Sequence, residues 1–387
     1  MEKKKPEIRF NGFEGEWETT TLGACSKKII TKNNGNEYNI VLTNSAERGI
    51  VDQRSYFDRE IVNTENIQGY YIVSQDDFVY NPRISMQAPV GPINRSKIEY
   101  TGVMSPLYYV FRITDKRFNL TYLEWFFKSS SWHDFMYKNG NSGARSDRFS
   151  INDDVFLKLP IYHSKDISEQ EKIGVFLTTL DNLIVKLEAK LDKLRKLKQA
   201  LLEKMFANVN RGNETPEIRF KGYTDKWEVK ELREVLITHP YKKHIGIIAN
   251  PARYPIIQQG NNPIMGLGSG LPYLDFKDKI IWGDHTTSVY RPTEPFLVAT
   301  DGIRILSIRN MNQMFLWNLI LYIKPIPKSY TRHFSMLVEK AISIPSIEEQ
   351  DKIGLSLTTL ENILSKTSTK LTKLRNIKQS LLQKMFA

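Results

Sequence analysis

Residues 169–207 read EQEKIGVFLTTLDNLIVKLEAKLDKLRKLKQALLEKMFA, and residues 349–387 read EQDKIGLSLTTLENILSKTSTKLTKLRNIKQSLLQKMFA, with about 24 of 39 positions identical. Apolar residues in the first copy fall at alternating spacings of four and three: Ile173, Leu177, Leu180, Ile184, Leu187, Leu191 and Leu194, then Leu197, Leu201 and Met205. The second copy repeats the seam as Ile353, Leu357, Leu360, Leu364, Leu371, Leu374, Ile377, Leu381 and Met385, with Thr367 as its one polar interruption. This spacing predicts one continuous helix per copy, about 60 Å long at 1.5 Å per residue. Such a length exceeds what a small globular core can cover. Two helices with the same heptad seam in one chain are natural coiled-coil partners. Asp166 with Glu169, and Ser346 with Glu349, predict a capping box at each N-terminus, in which each end satisfies the other's free backbone donor. Leu183 and Ile363 lie beside the seam and widen it, so that together with Leu180 and Leu360 they are expected to offer apolar surface to further helices.

A second, shorter repeat lies upstream of each long block. Pro6-Glu7-Ile8-Arg9-Phe10, Gly12 and Trp17-Glu18 recur as Pro216-Glu217-Ile218-Arg219-Phe220, Gly222 and Trp227-Glu228, with the spacing preserved to the residue. Between the repeats, segments of roughly 25–157 and 236–340 share little beyond their final strand-like runs, Phe156 to Pro160 and Ala341 to Pro345. The first shows strand-like runs at Gly69–Val73, Phe78–Tyr80 and Leu107–Phe111 and a short helix candidate at Tyr122–Phe127. The second shows strand-like runs at Tyr254–Ile257, Ile280–Trp282 and Phe296–Ala299 and a helix candidate at Met314–Ile323. The fold class expected is therefore α+β, with two mixed α/β domains at 1–160 and 211–345 and long helices at 161–210 and 346–387.

A chain of 387 residues with 41% hydrophobic content can bury two such cores. The formal charge of +12 favours a polyanionic partner, because clustered Lys and Arg release counterions from phosphates. The charge is uneven. The second variable segment holds 12 basic against 6 acidic residues and the first 16 against 15, so any binding by the first must come from local clustering rather than net charge. No apolar run approaches membrane-spanning length and the N-terminus is charged, which predicts a soluble protein with no membrane partner. A single cysteine, Cys25, allows no internal disulfide and suits a reducing cytoplasm.

Catalytic patterns are missing where they would be required. An amino-methyltransferase needs an Asn/Asp-Pro-Pro-aromatic loop, and Asn81-Pro82-Arg83-Ile84 fails at its third and fourth positions. The run Gly266-Leu267-Gly268-Ser269-Gly270 ends in Leu271-Pro272 rather than opening a helix, and is expected to be a flexible loop. There is no phosphate-cradling Gly-x-x-x-x-Gly-Lys-Ser/Thr motif, and the six His are scattered with no metal-ligand spacing. Asp284-His285 reads as a structural pair rather than an acid–base couple. No catalytic residue and no metal site is expected in this chain.

The Pro-Glu-Ile-Arg-Phe-x-Gly-Phe/Tyr block with Trp-Glu, the Leu-Pro or Ile-Pro run into Glu-Gln-x-Lys-Ile-Gly, the Leu-Thr-Thr-Leu-Asp/Glu segment and the Lys-Met-Phe end occur in order and twice, over the whole chain. In this they resemble the specificity subunits of type I restriction-modification systems. The resemblance implies a pseudo-two-fold molecule in which the unlike segments are target-recognition domains, each reading half of a split double-stranded DNA site, and the repeated helices form an antiparallel coiled coil. It implies two modification subunits docked there, carrying S-adenosylmethionine and methylating adenine, and restriction subunits whose motors use ATP and Mg; this chain itself would hold no cofactor. Within the family pattern, the polar residues expected to meet DNA are Asn81, Arg83, Gln87, Asn141, Ser142, Arg145 and Arg148 in the first domain. In the second they are Gln258, Gln259, Asn261, Asn262, His285, Thr286, Arg304 and Arg332. Arg, Asn and Gln can pair bidentately with G or A edges, which is the chemical reason to prefer them. Two other classes remain open on residues alone: a coiled-coil scaffold, which leaves the unlike heads unexplained, and a stand-alone DNA methyltransferase, which lacks its motifs.

Overall fold

A computed structural model describes residues 5–56, 67–141, 147–209, 212–300, 302–327 and 331–386. The chain divides into two compact units, Met1–Lys186 with Leu371–Ala387, and Leu187–Lys370. Four helices organise them: α1 (Leu120–Lys128), α2 (Ile167–Met205), α3 (Gln313–Ile323) and α4 (Ile347–Lys384). The heptad segments are thus continuous helices of 39 and 38 residues.

In the first unit, strands Ser26–Lys28, Tyr109–Ile113, Phe78–Tyr80 and Ile93–Arg95 form an antiparallel sheet in that spatial order. Their aromatic residues build the core. Phe78, Tyr80, Phe111, Phe126, Phe127 and Phe156 are all buried in one cluster with α1, and Phe78 stacks on Phe111 with ring centroids 5.6 Å apart. The same cluster takes in Ile173 and Leu177 from the start of α2 and Met385 and Phe386 from just beyond α4. Within this unit the beginning of one long helix therefore packs beside the end of the other, tied by a Lys378–Asp181 ion pair.

The second unit repeats the arrangement with different residues. Strands Leu236–His239, Ile303–Ile308, Ile280–Gly283 and Val289–Tyr290 form a sheet in that order. Trp282, Leu306 and Phe315 share a core with Ile353 and Leu357 from the start of α4 and Leu202 and Met205 from the end of α2, and Lys198 pairs with Glu361. A further sheet, in the order Ile247–Ile248, Ile264–Ser269, Tyr254–Ile257, Leu297–Val298, packs on the first through a small core in which Ile257, Tyr273, Phe296 and Val298 meet Ile281, Ile303 and Ile305.

The words repeated in the sequence turn out to be the joints of this frame. Arg9 donates to both carboxylate oxygens of Glu169 (2.6 and 2.8 Å), and Arg219 does the same to Glu349 (2.9 and 2.7 Å). The next residue, Gln170 or Gln350, accepts the backbone N–H of Asn119 (2.9 Å) or Asn312 (3.1 Å). Those asparagines cap α1 and α3, each side chain accepting two backbone N–H bonds from the first turn. Gly174 and Gly354 let the capped ends come close: a Cβ on Gly354 would lie 2.8 Å from the Phe315 nitrogen, and one on Gly174 3.1 Å from the Tyr122 nitrogen. Finally, the Ile8 N–H bonds the Lys384 carbonyl and the Ile218 N–H that of Lys204 (3.0 and 2.9 Å), satisfying the last turn of each long helix.

Four expectations need correction. The capping boxes form only in half: the Ser168 N–H bonds Asp166 at 2.9 Å, but the Glu169 and Glu349 carboxylates turn away to the arginines, which offer a stronger charged partner. The Gly266–Gly270 run is not a loop; Ile264–Ser269 is a strand between two others, where a Cβ on Gly268 would sit 2.3 Å from the Ile247 carbonyl oxygen. The strand expected to start at Phe156 starts at Pro160, because Asn152 caps a short helix at Asp153–Phe156. Leu180 and Leu360 are buried in the helices, whereas Leu183 (39%) and Ile363 (41%) are exposed, so only the latter two present apolar surface. Thr367, the polar interruption, is buried but bonds the Ile363 carbonyl at 2.7 Å.

Candidate DNA interface

In the first unit, Asn81, Arg83, Gln87 and Arg148 line one cleft of about 680 Å³ together with Asn44, Glu47, Tyr56 and Tyr108. The cleft is built by polar residues that are themselves fixed. Asn44 is buried, donates to the Val79 carbonyl (2.7 Å) and accepts from Asn94 (2.7 Å). Its carbonyl takes the Asn81 side-chain N–H (2.7 Å), and the other end of that amide accepts the Arg83 backbone N–H (2.9 Å). Asn81 is therefore spent on shaping the loop. Arg83 projects outward with 63% of its side chain exposed, 3.8 Å from Asp147, and Gln87 donates to Glu47 (3.0 Å). An exposed pair of that length is worth little and exchanges readily for a phosphate. Arg83 and Arg148 face each other across an antiparallel bridge, and Asn141 bridges Ser150 in the same way. Ser142 and Arg145 lie outside the described residues.

In the second unit, Gln258, Gln259, Asn261 and Asn262 occupy the connection between Tyr254–Ile257 and Ile264–Ser269. Asn261 and Asn262 are exposed. Gln258 holds the turn through the Asn262 carbonyl (2.9 Å), and Gln259 accepts the His285 backbone N–H (3.1 Å). Ser288 ties the neighbouring loop in, accepting from the Gly260 N–H (2.9 Å) and bonding the Thr286 hydroxyl (2.8 Å). Gln259, His285 and Thr286 thus form one contiguous patch.

Arg304 joins that patch through a buried acid. Its guanidinium lies 3.3 Å from Asp284 and 4.1 Å from the Phe334 ring centre. Asp284 also accepts the Phe334 N–H (3.0 Å), and its backbone carbonyl accepts that of His333 (2.9 Å), which fixes the segment carrying the exposed Arg332. Asp284 is a structural anchor here. The sequence pointed to the polar residues of both sites but not to Asn44, Glu47 or Ser288, which position them; short polar residues far apart in the chain leave no local signal. Among the described residues there is no group of three or more His, Cys, Asp or Glu placed to hold a metal, and no helix is long and apolar enough to cross a membrane. Cys25 is buried, and burial pushes its thiol up to about 12.

Residues 224–376 match the family model of the type I restriction modification DNA specificity domain. The match spans most of the second unit, including its frame residues Trp227 and Glu349 and every candidate DNA residue from Gln258 to Arg332. The chain is also similar in fold to the crystal structure of the S subunit of a type I restriction-modification system from M. genitalium, with a TM-score of 0.65 at 14% identity over 99% of both chains. A chain from a structural study of complex assembly and conformational transition in a type I system aligns with a TM-score of 0.51 at 12% identity, covering 95% of this chain and 96% of that one. At such identities the likeness is one of fold, and it covers both units. No curated protein sequence matches the chain.

Proposed function

We propose that the chain is the DNA-specificity subunit of a type I restriction-modification complex, a reader with no catalytic site of its own. Its two units each read one half of a bipartite, asymmetric site with a fixed spacer, and α2 and α4 form the antiparallel coiled coil between the readers. Two modification subunits carrying S-adenosylmethionine methylate adenine at that site, and restriction subunits using ATP and Mg cut DNA; exposed apolar residues of the long helices, Leu183 and Ile363 among them, are their docking surface. Ile264–Ser269, which carries Gly266 and Gly268, is a strand and does not open a helix, in keeping with a reader that leaves methyl-donor binding to its partners.

The observation that carries this reading is the contrast between like frame and unlike heads. The Arg–Glu, Gln–Asn and Gly joints recur in both units, while the polar clusters they present share no residue pattern. A scaffold has no use for that difference; a reader of two unlike half-sites requires it. The test is to exchange residues 25–157 for the matching segment of a relative and map N6-methyladenine in cells carrying the modification subunits. One half of the methylated motif should change and the other persist. Alteration of both halves, or of neither, would remove the two-reader model.

A further inference from the structure

We infer that Met86 is a wedge that enters the base stack of DNA bound at the first unit. This rests on the DNA-reading function proposed above and adds to it a specific deformation of one half-site.

Met86 is fully exposed, and single exposed apolar residues are ordinarily unremarkable. What sets this one apart is the rigidity of the loop that holds it out. Ser85 and Ala88 exchange both backbone hydrogen bonds (3.1 and 3.2 Å), so Met86 and Gln87 are the two apex residues of a closed turn. The base of the loop is pinned on one side by Asn81 and by the Ile84 N–H on the Asp147 carbonyl (3.0 Å). On the other side, Ala88 and Val90 are buried, and Gly91 has φ +84° with no room for a Cβ, which would lie 2.1 Å from the Asn81 carbonyl oxygen. The second apex residue, Gln87, is held by Glu47.

A turn built this firmly could have carried a polar tip at no cost. Instead it holds an unbranched thioether in water, where its apolar surface gains free energy only when something covers it. The neighbours indicate what does so. Arg83 and Arg148, bridged to each other, line the cleft beside the turn, so that cations able to hold a phosphate backbone stand next to the apolar tip, and Met is one of the side chains that part base steps.

The experiment uses the full chain, alone and with the modification subunits, and duplexes selected on it from a random library. 2-Aminopurine is placed at successive steps of the half-site that the 25–157 exchange assigns to the first unit, and donor and acceptor dyes at the duplex ends report bending. Wild type should raise the fluorescence at one step severalfold and bend the duplex by about 20–90°. Met86→Ala should lose both signals while keeping the salt dependence of binding, which reports phosphate contacts; Met86→Leu should retain them. Unchanged unstacking and bending in Met86→Ala would overturn the wedge alone. Binding by wild type without unstacking, with Met86→Ala instead losing its modification subunits, would make Met86 a protein contact and also overturn it. Retention of no duplex in either form would overturn the DNA reading and the wedge together.

Discussion

Replacing Arg9 by Ala tests whether the repeated words hold the first unit together. Arg9 is 16% exposed and grips Glu169, which is fully buried, through two bonds of 2.6 and 2.8 Å. Removing the guanidinium leaves a desolvated carboxylate without its charge partner, a loss of about 3–5 kcal/mol. In a unit of this size each kcal/mol moves the melting midpoint by about 2–4 °C, so the shift should be about 6–20 °C. The equivalent Arg219→Ala should cost less. Glu349 retains a bond from the Trp227 indole N–H at 3.0 Å, and a bond to a charged group offsets the penalty by about 1.5 kcal/mol or more. Calorimetry of the full chain resolves the two cases if each unit melts as its own transition, with hydrogen exchange assigning them. The double variant Arg9→Met with Glu169→Leu should recover most of the stability, because no charge is then left buried. An Arg9→Ala shift below about 2 °C, or a loss as large in Arg219→Ala as in Arg9→Ala, would refute this account of the joint.

Two further outcomes follow from the same geometry. Burial holds the Cys25 thiol at about 12 against an ordinary 9.0, with the Asp115 charge adding to the shift; native protein at pH 8 should therefore react with Ellman's reagent at least about a hundredfold more slowly than denatured protein, and rapid native labelling would contradict it. The sign of the linkage is fixed: the unfolded thiol ionises first, so this group's contribution to stability is intact below about 9 and declines as pH rises from there towards 12. Inserting one heptad into each long helix, between Lys186 and Leu187 and between Thr372 and Lys373, keeps the Asp181–Lys378 and Lys198–Glu361 pairs in register. It adds about 10.5 Å of helix, which should lengthen the spacer of the methylated motif by up to about three base pairs at 3.4 Å each; an unchanged spacer in an active variant would show that the helices do not set it.

The sequence was most legible where a period dominates. Leucine spacing found both long helices because seam residues recur within a few positions of each other, and Phe78–Tyr80 and Tyr254–Ile257 were found as strands because aromatic and β-branched residues crowd there. It was least legible where the deciding partner lies far along the chain. Glu169 has the local spacing of a capping box, but Arg9, 160 positions away, takes its carboxylate. The glycines at 266 and 268 have the composition of a loop, yet the space they leave admits neighbouring strands from Ile247 and Ile256. The sites follow the same rule. Arg83, Asn261 and Arg332 are exposed, as a residue that meets DNA must be, whereas nothing near Asn81 in sequence shows that its amide is committed to Asn44, or that Arg304 answers to Asp284.

These joints also explain how heads so different can sit on frames so alike. The frame makes few demands on what it carries: a helix whose capping Asn offers its backbone N–H to Gln170 or Gln350, a first turn that fits against Gly174 or Gly354, and a closing strand for Glu18–Thr21 or Glu228–Glu231 to pair with. None of these involves Arg83, Gln87, Asn261 or Arg332. The loops that carry these residues are therefore free to change without touching the bonds that hold a head in place. The limit on that freedom is visible in the indole of the short block. Trp227 donates to Glu349 and thereby couples the second head's frame more tightly, while Trp17 is buried without that bond, so the first unit depends more heavily on its arginine.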